Sequence, residues 1–159
     1  MSDRRAMKSI YLAGPINKCS DNECHGWRLE VETALAGRFR FLNPMSRDYR
    51  SREDKFVGEI VEQDYRDIRD VDIVLVMASH PSWGTAMEMH QAFSTDRKLV
   101  VAVCTDPNPS PWLRYHCHYL ASSLREAIEY LRDLPDEMSW STPPTLGLIR
   151  QTRAQPQQA

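Results

Sequence analysis

Asp72-Ile73-Val74-Leu75-Val76-Met77 is the stretch of sequence that decides the fold. It is the most strand-like run in the chain, and after Asp72 it offers no polar residue to a solvent-facing side. A strand that is apolar on both faces must be covered on both faces, which is typical of a central strand in a parallel sheet. The run therefore predicts an α/β protein with helices on either side of its sheet.

Strand-like and helix-like patterns alternate on both sides of this run. Further strands are predicted at residues 9–13, 38–42 and 98–104. Helices are predicted at residues 27–35, 56–69, 86–94 and 123–134, the last with Ser122 or Ser123 as its cap. Because parallel strands need crossover helices, this order predicts a doubly wound parallel sheet. The charged, non-periodic residues 46–55 predict a mobile loop.

The length and composition indicate one globular domain. A chain of 159 residues, 42% of them hydrophobic, is long enough for a single core and too short for two. We assign residues 1–135 to that domain. Beyond Pro135 the composition shifts to Pro, Ser, Thr and Gln, which predicts a flexible or partner-docked tail over residues 136–159, with Trp140 and residues 146–149 as candidate anchors.

The charge balance argues against two classes of partner. With 20 basic and 22 acidic residues, the formal net charge is −2, so no global field draws the chain to nucleic acid or to an anionic membrane. No apolar run approaches the roughly 20 residues of a membrane span. Residues 1–5 lead into a strand-like run rather than into the apolar core of a signal peptide. We expect a cytoplasmic protein.

The sequence gives no sign of a metal or a cofactor. Its four cysteines are unevenly spread, and neither Cys24-His25 nor residues 116–118 has the C-x2-C spacing of a structural zinc site. The chain also lacks the GxxxxGK[ST] and GxGxxG loops that bind nucleoside triphosphates and dinucleotides. We expect reduced thiols, no metal and no cofactor.

The first candidate for chemistry follows the central strand, at residues 84–88. Gly84 would allow close approach of a ligand and Thr85 would cap a helix, which puts Glu88 in the first helical turn. Free N–H groups at that position would keep the carboxylate ionised. The alternative is a glutamate that only complements the helix dipole.

A second carboxylate stands on the apolar side of the preceding helix. Asp64 shares that side with Ile60 and Ile68, where an acid is costly unless it is paired or used. Asp67 and Asp70 fit a solvated face with ion pairs. If Asp64 and Glu88 faced one cleft, they would form the pair of acids that glycosidic-bond cleavage uses.

Ligands of such sheets collect at the carboxyl ends of the strands, which selects the loops at residues 11–17, 43–48, 77–88 and 104–114. Tyr11 stands at the first of these ends, where its phenol would either fill the core or orient a catalytic carboxylate. His80 and His90 lack a Ser or Cys partner for a hydrolase triad.

Several of these motifs occur in an order that resembles one family. Residues 11–15, residues 62–64 followed by 72–74, residues 82–88 and the strand at 98–104 are similar to those of the nucleoside 2-deoxyribosyltransferase family, which includes the deoxynucleoside 5′-monophosphate N-hydrolases. The resemblance implies a flavodoxin-like or Rossmann-like sheet of about five strands, in a homodimer or higher homo-oligomer with shared active sites.

The same resemblance implies the catalytic roles. Glu88 matches the nucleophile that attacks C1′ of the sugar and forms a covalent glycosyl-enzyme. Asp64 matches the acid that handles the proton of the leaving base, and Tyr11 matches the tyrosine that orients the nucleophile. Substrate-binding positions carried over in this way are Gly14, Pro15, Asn17, Ser82, Trp83, Gly84, Met87, Ser110, Trp112 and Arg114.

Two positions bear on the substrate. Nucleoside-transferring members tend to carry an aspartate where Ser82 stands, whereas the monophosphate hydrolases carry a serine there, and Ser110 matches a serine that they use from a neighbouring subunit. However, the Ser-x-Arg of the hydrolases is here Pro15-Ile16-Asn17. A phosphate would then be met by backbone N–H groups or by a cation, for which the candidates are Lys18, Arg47 and Arg114.

These observations predict an enzyme that cleaves the N-glycosidic bond of a (2′-deoxy)ribonucleoside or its 5′-monophosphate. The sugar would pass to another nucleobase or to water, depending on what attacks the intermediate. Trp83 and Trp112 would either exclude water or stack on the base. The alternative is a non-catalytic nucleotide sensor that uses the same crevice.

Overall fold

The computed structural model describes residues 7–136 of the chain. Apart from Asp136, the predicted tail lies outside the described residues, and so do the candidate anchors Trp140 and 146–149. Among the helices of the described part, none combines the length and the apolar character that crossing a bilayer requires.

Five parallel strands form one sheet, in the order β2-β1-β3-β4-β5. Their bounds are β1 Ser9–Ala13, β2 Arg40–Leu42, β3 Ile73–Met77, β4 Leu99–Val103 and β5 Tyr119–Ala121. This strand order is that of the flavodoxin-like fold, so the predicted fold is confirmed. The residue pattern by itself predicted only four strands: β5 is three residues long, and unlike β2, which is equally short, it does not stand in a longer alternating run.

Between residues 7 and 136, five α-helices connect and flank the strands, and a π-helical turn over Gln91–Thr95 follows the third of them. Their bounds are α1 Asp21–Ala34, α2 Val57–Asp70, α3 Trp83–His90, α4 Pro111–Tyr115 and α5 Leu124–Arg132. Ser123 caps α5, as one of the two predicted candidates. The helix α1 begins six residues before its predicted start, because Ser20 and Glu23 form a reciprocal capping box.

Two local predictions were wrong. The helix α3 begins at Trp83 rather than at Ala86, because its cap is Ser82, whose Oγ accepts a hydrogen bond from the Thr85 N–H, and not Thr85 itself. Half of the segment 46–55, predicted to be a mobile loop, belongs to 3-10 turns at Pro44–Arg47 and Glu53–Lys55. Asn43 caps the first turn, and Arg50 between the turns pairs with Asp21; such contacts leave no hydrophobic period in the sequence.

The two faces of the sheet carry separate cores. Side chains alternate along β1, so Ile10 and Leu12 pack on the face covered by α1 and α5. Tyr11 and Ala13 pack on the opposite face, together with residues of α2 and α3. The strand order changes direction at β1 and β3, and the crevice at the carboxyl ends of these two strands is where such folds bind ligands.

Candidate active site

Tyr11 connects the centre of the sheet to the crevice. Its side chain is fully buried, and its hydroxyl donates a hydrogen bond of 2.8 Å to Glu88 Oε1 on α3. The contact exists because odd-numbered residues of β1 face the same helices that carry Glu88 and Asp64. Burial and the two neighbouring carboxylates raise the pKa of Tyr11, so the phenol stays protonated and acts as a donor.

Glu88 differs from its prediction in both position and charge. It is the sixth residue of α3, past the first turn, and its oxygen accepts from Tyr11 rather than from free backbone N–H groups. Burial, together with the negative charge of Asp64, raises its pKa to about 8, although Tyr11 and Arg28 oppose that rise. Burial therefore opposes the ionised form that the sequence predicted.

Asp64 lies on the inward side of α2, as its position beside Ile60 and Ile68 predicted. Its side chain is 17% exposed, and it lines the same cavity as Glu88. Burial raises its pKa, whereas the charge of Arg47 and a hydrogen bond with Tyr11 act against that rise. Two carboxyl groups with raised pKa values thus share one phenol, an arrangement in which a single proton is held by the pair.

Asp67 is not on a solvated face. It is only 7% exposed, and its Oδ2 lies 2.5 Å from Nη2 of Arg47, while its Oδ1 accepts a 3.0 Å hydrogen bond from Gln63 Nε2. The same Nη2 lies 3.4 Å from Asp64 Oδ1. The expected surface ion pair is therefore a buried one. Asp67 follows Asp64 by three residues, and positions i and i+3 share a helix face. This spacing was the signal in the sequence that Asp67 also faces inward.

Arg28 is a buried cation that the sequence analysis missed. Its side chain is fully buried, and its guanidinium donates to the backbone carbonyls of Leu12, Cys24 and Gly14. These bonds satisfy carbonyl groups at the end of β1, and its charge lowers the pKa of Glu88. The signal was present in the sequence, because Arg28 falls in the buried i, i+4, i+7 register of Cys24 and Val31.

A cavity of about 200 Å³ contains both carboxylates. Four of the substrate-binding positions implied by the resemblance also line it, namely Gly14, Asn17, Ser82 and Gly84. Gly14 has no room for a side chain, because a Cβ atom there would lie 2.8 Å from the Trp27 ring and 3.2 Å from Met77 Cβ. Further lining residues are Ile16, Pro44, Met45, Arg47, Asp48, Tyr49, Arg50, Glu53, Ile60 and Thr85.

The other six implied substrate-binding positions do not line this cavity within the described residues: Pro15, Trp83, Met87, Ser110, Trp112 and Arg114. Three of them present large apolar groups to solvent, with exposures of 89% for Trp83, 59% for Met87 and 76% for Trp112. Ser110 caps the short helix α4, which carries Trp112 and Arg114.

The cations around the cavity already have partners in the same chain. Arg47 is bound to Asp64 and Asp67, and Arg50 is bound to Asp48 and Asp21. Lys18 and Arg114, the other candidates for a phosphate contact, do not line the cavity. Of the polar side chains that face it from α3 and its cap, Ser82 and Thr85 lie at the start of the helix and Glu88 lies further along it.

A larger cavity of about 510 Å³ shares Met45 and Arg47 with the first. Its walls include His25 and Glu32 of α1 and Asn43, but not Tyr11, Asp64 or Glu88. The smaller cavity is therefore the one that contains the carboxylate pair. Within the described residues, no group of three or more His, Cys, Asp and Glu residues is arranged to hold a metal.

Comparison with known proteins identifies the family and the fold. A family described as nucleoside 2-deoxyribosyltransferase-like matches residues 7–107. A 2-deoxyribosyltransferase from Bacillus psychrosaccharolyticus has a similar structure, with a TM-score of 0.62 and 15% identity over 77% of this chain and 91% of that one.

The CMP N-glycosidase BcmB of Clostridium botulinum is similar as well, with a TM-score of 0.55 and 17% identity over 79% of this chain and 99% of that one. At these identities the likeness shows the fold. No curated protein matches the chain by sequence.

Proposed function

The chain belongs to the nucleoside 2-deoxyribosyltransferase-like family, and from this membership we propose that it cleaves the N-glycosidic bond of a (2′-deoxy)ribonucleoside or its 5′-monophosphate. The observation that carries the proposal is the 2.8 Å hydrogen bond from Tyr11 to Glu88, with Asp64 in the same cavity. Tyr11 donates this bond to Glu88 and orients it, and the proposed reaction needs two acids that face one cavity.

In the proposed first step, Glu88 attacks C1′ through the oxygen that Tyr11 does not hold. The C1′–N bond breaks, its electron pair leaves with the base, and a proton passes from Asp64 to the departing nitrogen. The product is an ester between C1′ and Glu88. A carboxylate close to C1′ stabilises the cation-like transition state, and proton donation contributes a factor of roughly 10²–10⁴ in rate.

In the second step, water or a second nucleobase attacks C1′ and releases Glu88. Asp64, now ionised, accepts the proton of the attacking group. Hydrolysis and transfer therefore use the same residues, and they differ only in which acceptor reaches the intermediate.

The proposed roles require that the acid pair carries one proton. Burial raises the pKa of both acids, which disfavours the fully ionised pair. The reactive form carries the proton on Asp64 and the charge on Glu88. The hydrogen bond from Tyr11 stabilises the ionised Glu88 of that form by lowering its pKa, and Tyr11 acts on Asp64 in the same direction.

A 5′-phosphate would find its partners at the start of α3. The arginines of the cavity are already paired within the chain, whereas Ser82 and Gly84 lie where the N–H groups of a helix N-terminus attract an anion. Serine rather than aspartate at position 82 also avoids charge repulsion with a phosphate. These features support a monophosphate without excluding a nucleoside.

Released base tests the proposal directly. The protein is incubated with a panel of nucleosides and 5′-monophosphates, with and without a free acceptor base, and the products are separated by chromatography. Release without acceptor indicates hydrolysis, and exchange that requires the acceptor indicates transfer. Absence of both with every compound would contradict the proposed function and favour the nucleotide sensor.

We also infer that the protein is a homo-oligomer whose partner covers an apolar surface on α3 and α4. This surface comprises Trp83, Met87, Trp112 and Tyr115, all more than half exposed. Exposed apolar groups of this size are typical of interaction sites. Sedimentation analysis of the full chain should give a dimer or larger, and Trp112→Asp should lower the association. A monomer at high micromolar concentration would contradict this inference.

A further inference from the structure

Two acids of α2 face the same guanidinium, but at unequal distances. Nη2 of Arg47 lies 2.5 Å from Asp67 Oδ2 and 3.4 Å from Asp64 Oδ1. The first is a short charge-assisted hydrogen bond, and the second is at the outer limit of one. Arg47 is therefore bound mainly to Asp67, and Asp64 receives only part of its charge.

Asp67 is well suited to hold this arginine. It is 7% exposed, and both of its oxygens have donors, because Gln63 Nε2 binds Oδ1 at 3.0 Å while Arg47 binds Oδ2. A buried carboxylate that is satisfied in this way stays fixed and keeps its partner fixed. Since Gln63 lies one turn before Asp67 on α2, the helix itself sets the geometry.

We infer that Asp67 is a positioning residue for the proposed reaction: by binding Arg47, it prevents that guanidinium from forming a full ion pair with Asp64. The inference rests on the proposed function for its catalytic meaning. Asp67 does not line the cavity that contains Asp64 and Glu88, so it acts through Arg47 and not by touching the substrate.

A full ion pair with Arg47 would impair the proposed role of Asp64, because Asp64 must carry a proton in order to donate it to the leaving base. A carboxylate in a full ion pair with arginine is ionised and cannot donate a proton to a leaving base. The charge of Asp67 raises the pKa of Asp64, whereas that of Arg47 lowers it. Removing Asp67's charge therefore lowers the pKa of Asp64 twice over, by loss of its repulsion and by release of Arg47.

Other ionisable groups face the two acids from the surrounding elements. Asp64 is faced by Tyr11 of β1 and Glu88 of α3, and its cavity is also lined by Asp48, Tyr49, Arg50 and Glu53. Asp67 lines the larger cavity together with His25 and Glu32 of α1. None of these groups is altered by the variants below, so each comparison isolates the contact between Arg47 and the two acids.

The decisive measurement is the titration of Asp64 in the free protein, followed by carboxyl carbon NMR, with the signal assigned from its loss in Asp64→Asn. We expect Asp67→Asn to move the Asp64 midpoint to lower pH. Arg47→Gln should move it to higher pH, because a cation is removed. Asp70→Asn, the same change on an exposed residue of the same helix, serves as the matched control.

Opposite displacements by the two variants would support the inference, since general loosening of the site would not move the midpoint in opposite directions. A midpoint in Asp67→Asn that equals that of Asp70→Asn, or that moves upward, would overturn it. If Asp67→Asn does not fold, the result for Arg47→Gln decides: a midpoint that stays in place or falls refutes the role of Arg47, and with it that of Asp67.

Kinetics supply the second readout. Where the acid pair carries one proton, Asp67→Asn should lower the plateau of kcat/KM by about tenfold, because a smaller fraction of the protein then has that proton on Asp64. The acid limb of the kcat/KM profile of this variant should also move to lower pH. If the unmodified protein releases no base from any compound of the panel, the proposed function fails, whereas the titration still decides whether Asp67 controls Asp64 through Arg47.

Discussion

The strand β1 has five residues, and successive side chains along it point to opposite faces of the sheet. The side chains that the two faces bury differ in chemical character. Ile10 and Leu12 on one face belong to an apolar core that includes residues of α1 and α5. Tyr11, one residue away, is buried as completely but ends on a carboxylate of α3. The comparison indicates that burial of β1 serves stability on one face and electrostatic tuning on the other.

The largest effect on activity is expected when the carboxylate of Glu88 is removed from the Tyr11 face. Glu88→Gln keeps the size of the side chain and removes the nucleophile, so base release should fall by about 10⁴-fold or more. The fold should persist, because a neutral group in this position has no burial cost for charge. Glu62→Gln, on an exposed part of α2, is the control.

Activity of Glu88→Gln within tenfold of the unmodified protein would assign the nucleophile elsewhere. A large drop in melting temperature would mean that Glu88 also supports the fold, and the two faces would then differ less than the structure indicates.

A substitution on the opposite face of β1 should lower the stability of the fold rather than the activity. Leu12→Ala deletes a fully buried side chain from the core beside α1 and α5, which should lower the free energy of unfolding by about 2–5 kcal/mol. Urea denaturation measures this loss. Activity per folded molecule should stay within a few-fold, because the side chain points away from the cavity. A catalytic defect as large as that of Glu88→Gln would contradict the separation of the two faces.

The smallest expected effect comes from the Tyr11 hydroxyl alone. Tyr11→Phe removes the hydrogen bond that lowers the pKa of Glu88, so that pKa rises further above its ordinary range. The limb of the rate profile that follows Glu88 ionisation should move to higher pH, and the rate near neutral pH should fall about 10- to 100-fold. A profile recorded from pH 5 to 10 measures both changes.

Tyr65→Phe, at a partly buried position packed against the same core as Tyr11, controls for loss of a phenol in general. If both variants have the same profile, the contact between Tyr11 and Glu88 does not tune the acid.

Particular residues show how far the sequence could predict this protein. The run at 72–77 and the alternation around it predicted a doubly wound sheet, because hydrophobic periods are local properties of the chain. Tyr11, Asp64 and Glu88 were candidate catalytic residues before any coordinates, and the structure brings the three side chains together. Their catalytic roles stay predictions. β5 was not predicted because its three residues do not stand in a longer alternating run, as the equally short β2 does.

Asp67 and Arg28 show where prediction from the sequence failed. Each occupied an inward position of its helix, but a charged residue at such a position has a partner that lies far along the chain. Arg47 is 20 residues before Asp67, and Gly14 is 14 residues before Arg28. No local period encodes such contacts.

The sequence by itself determined the secondary-structure periods, the order of the elements and the residue types available for chemistry, since each depends on neighbours within a few positions. Only the tertiary structure decided which acids are buried, which arginine each one meets, and that burial raises the pKa of Glu88. The physical reason is that a carboxyl group's pKa depends on desolvation and on charges within a few ångströms, and folding alone brings those charges together.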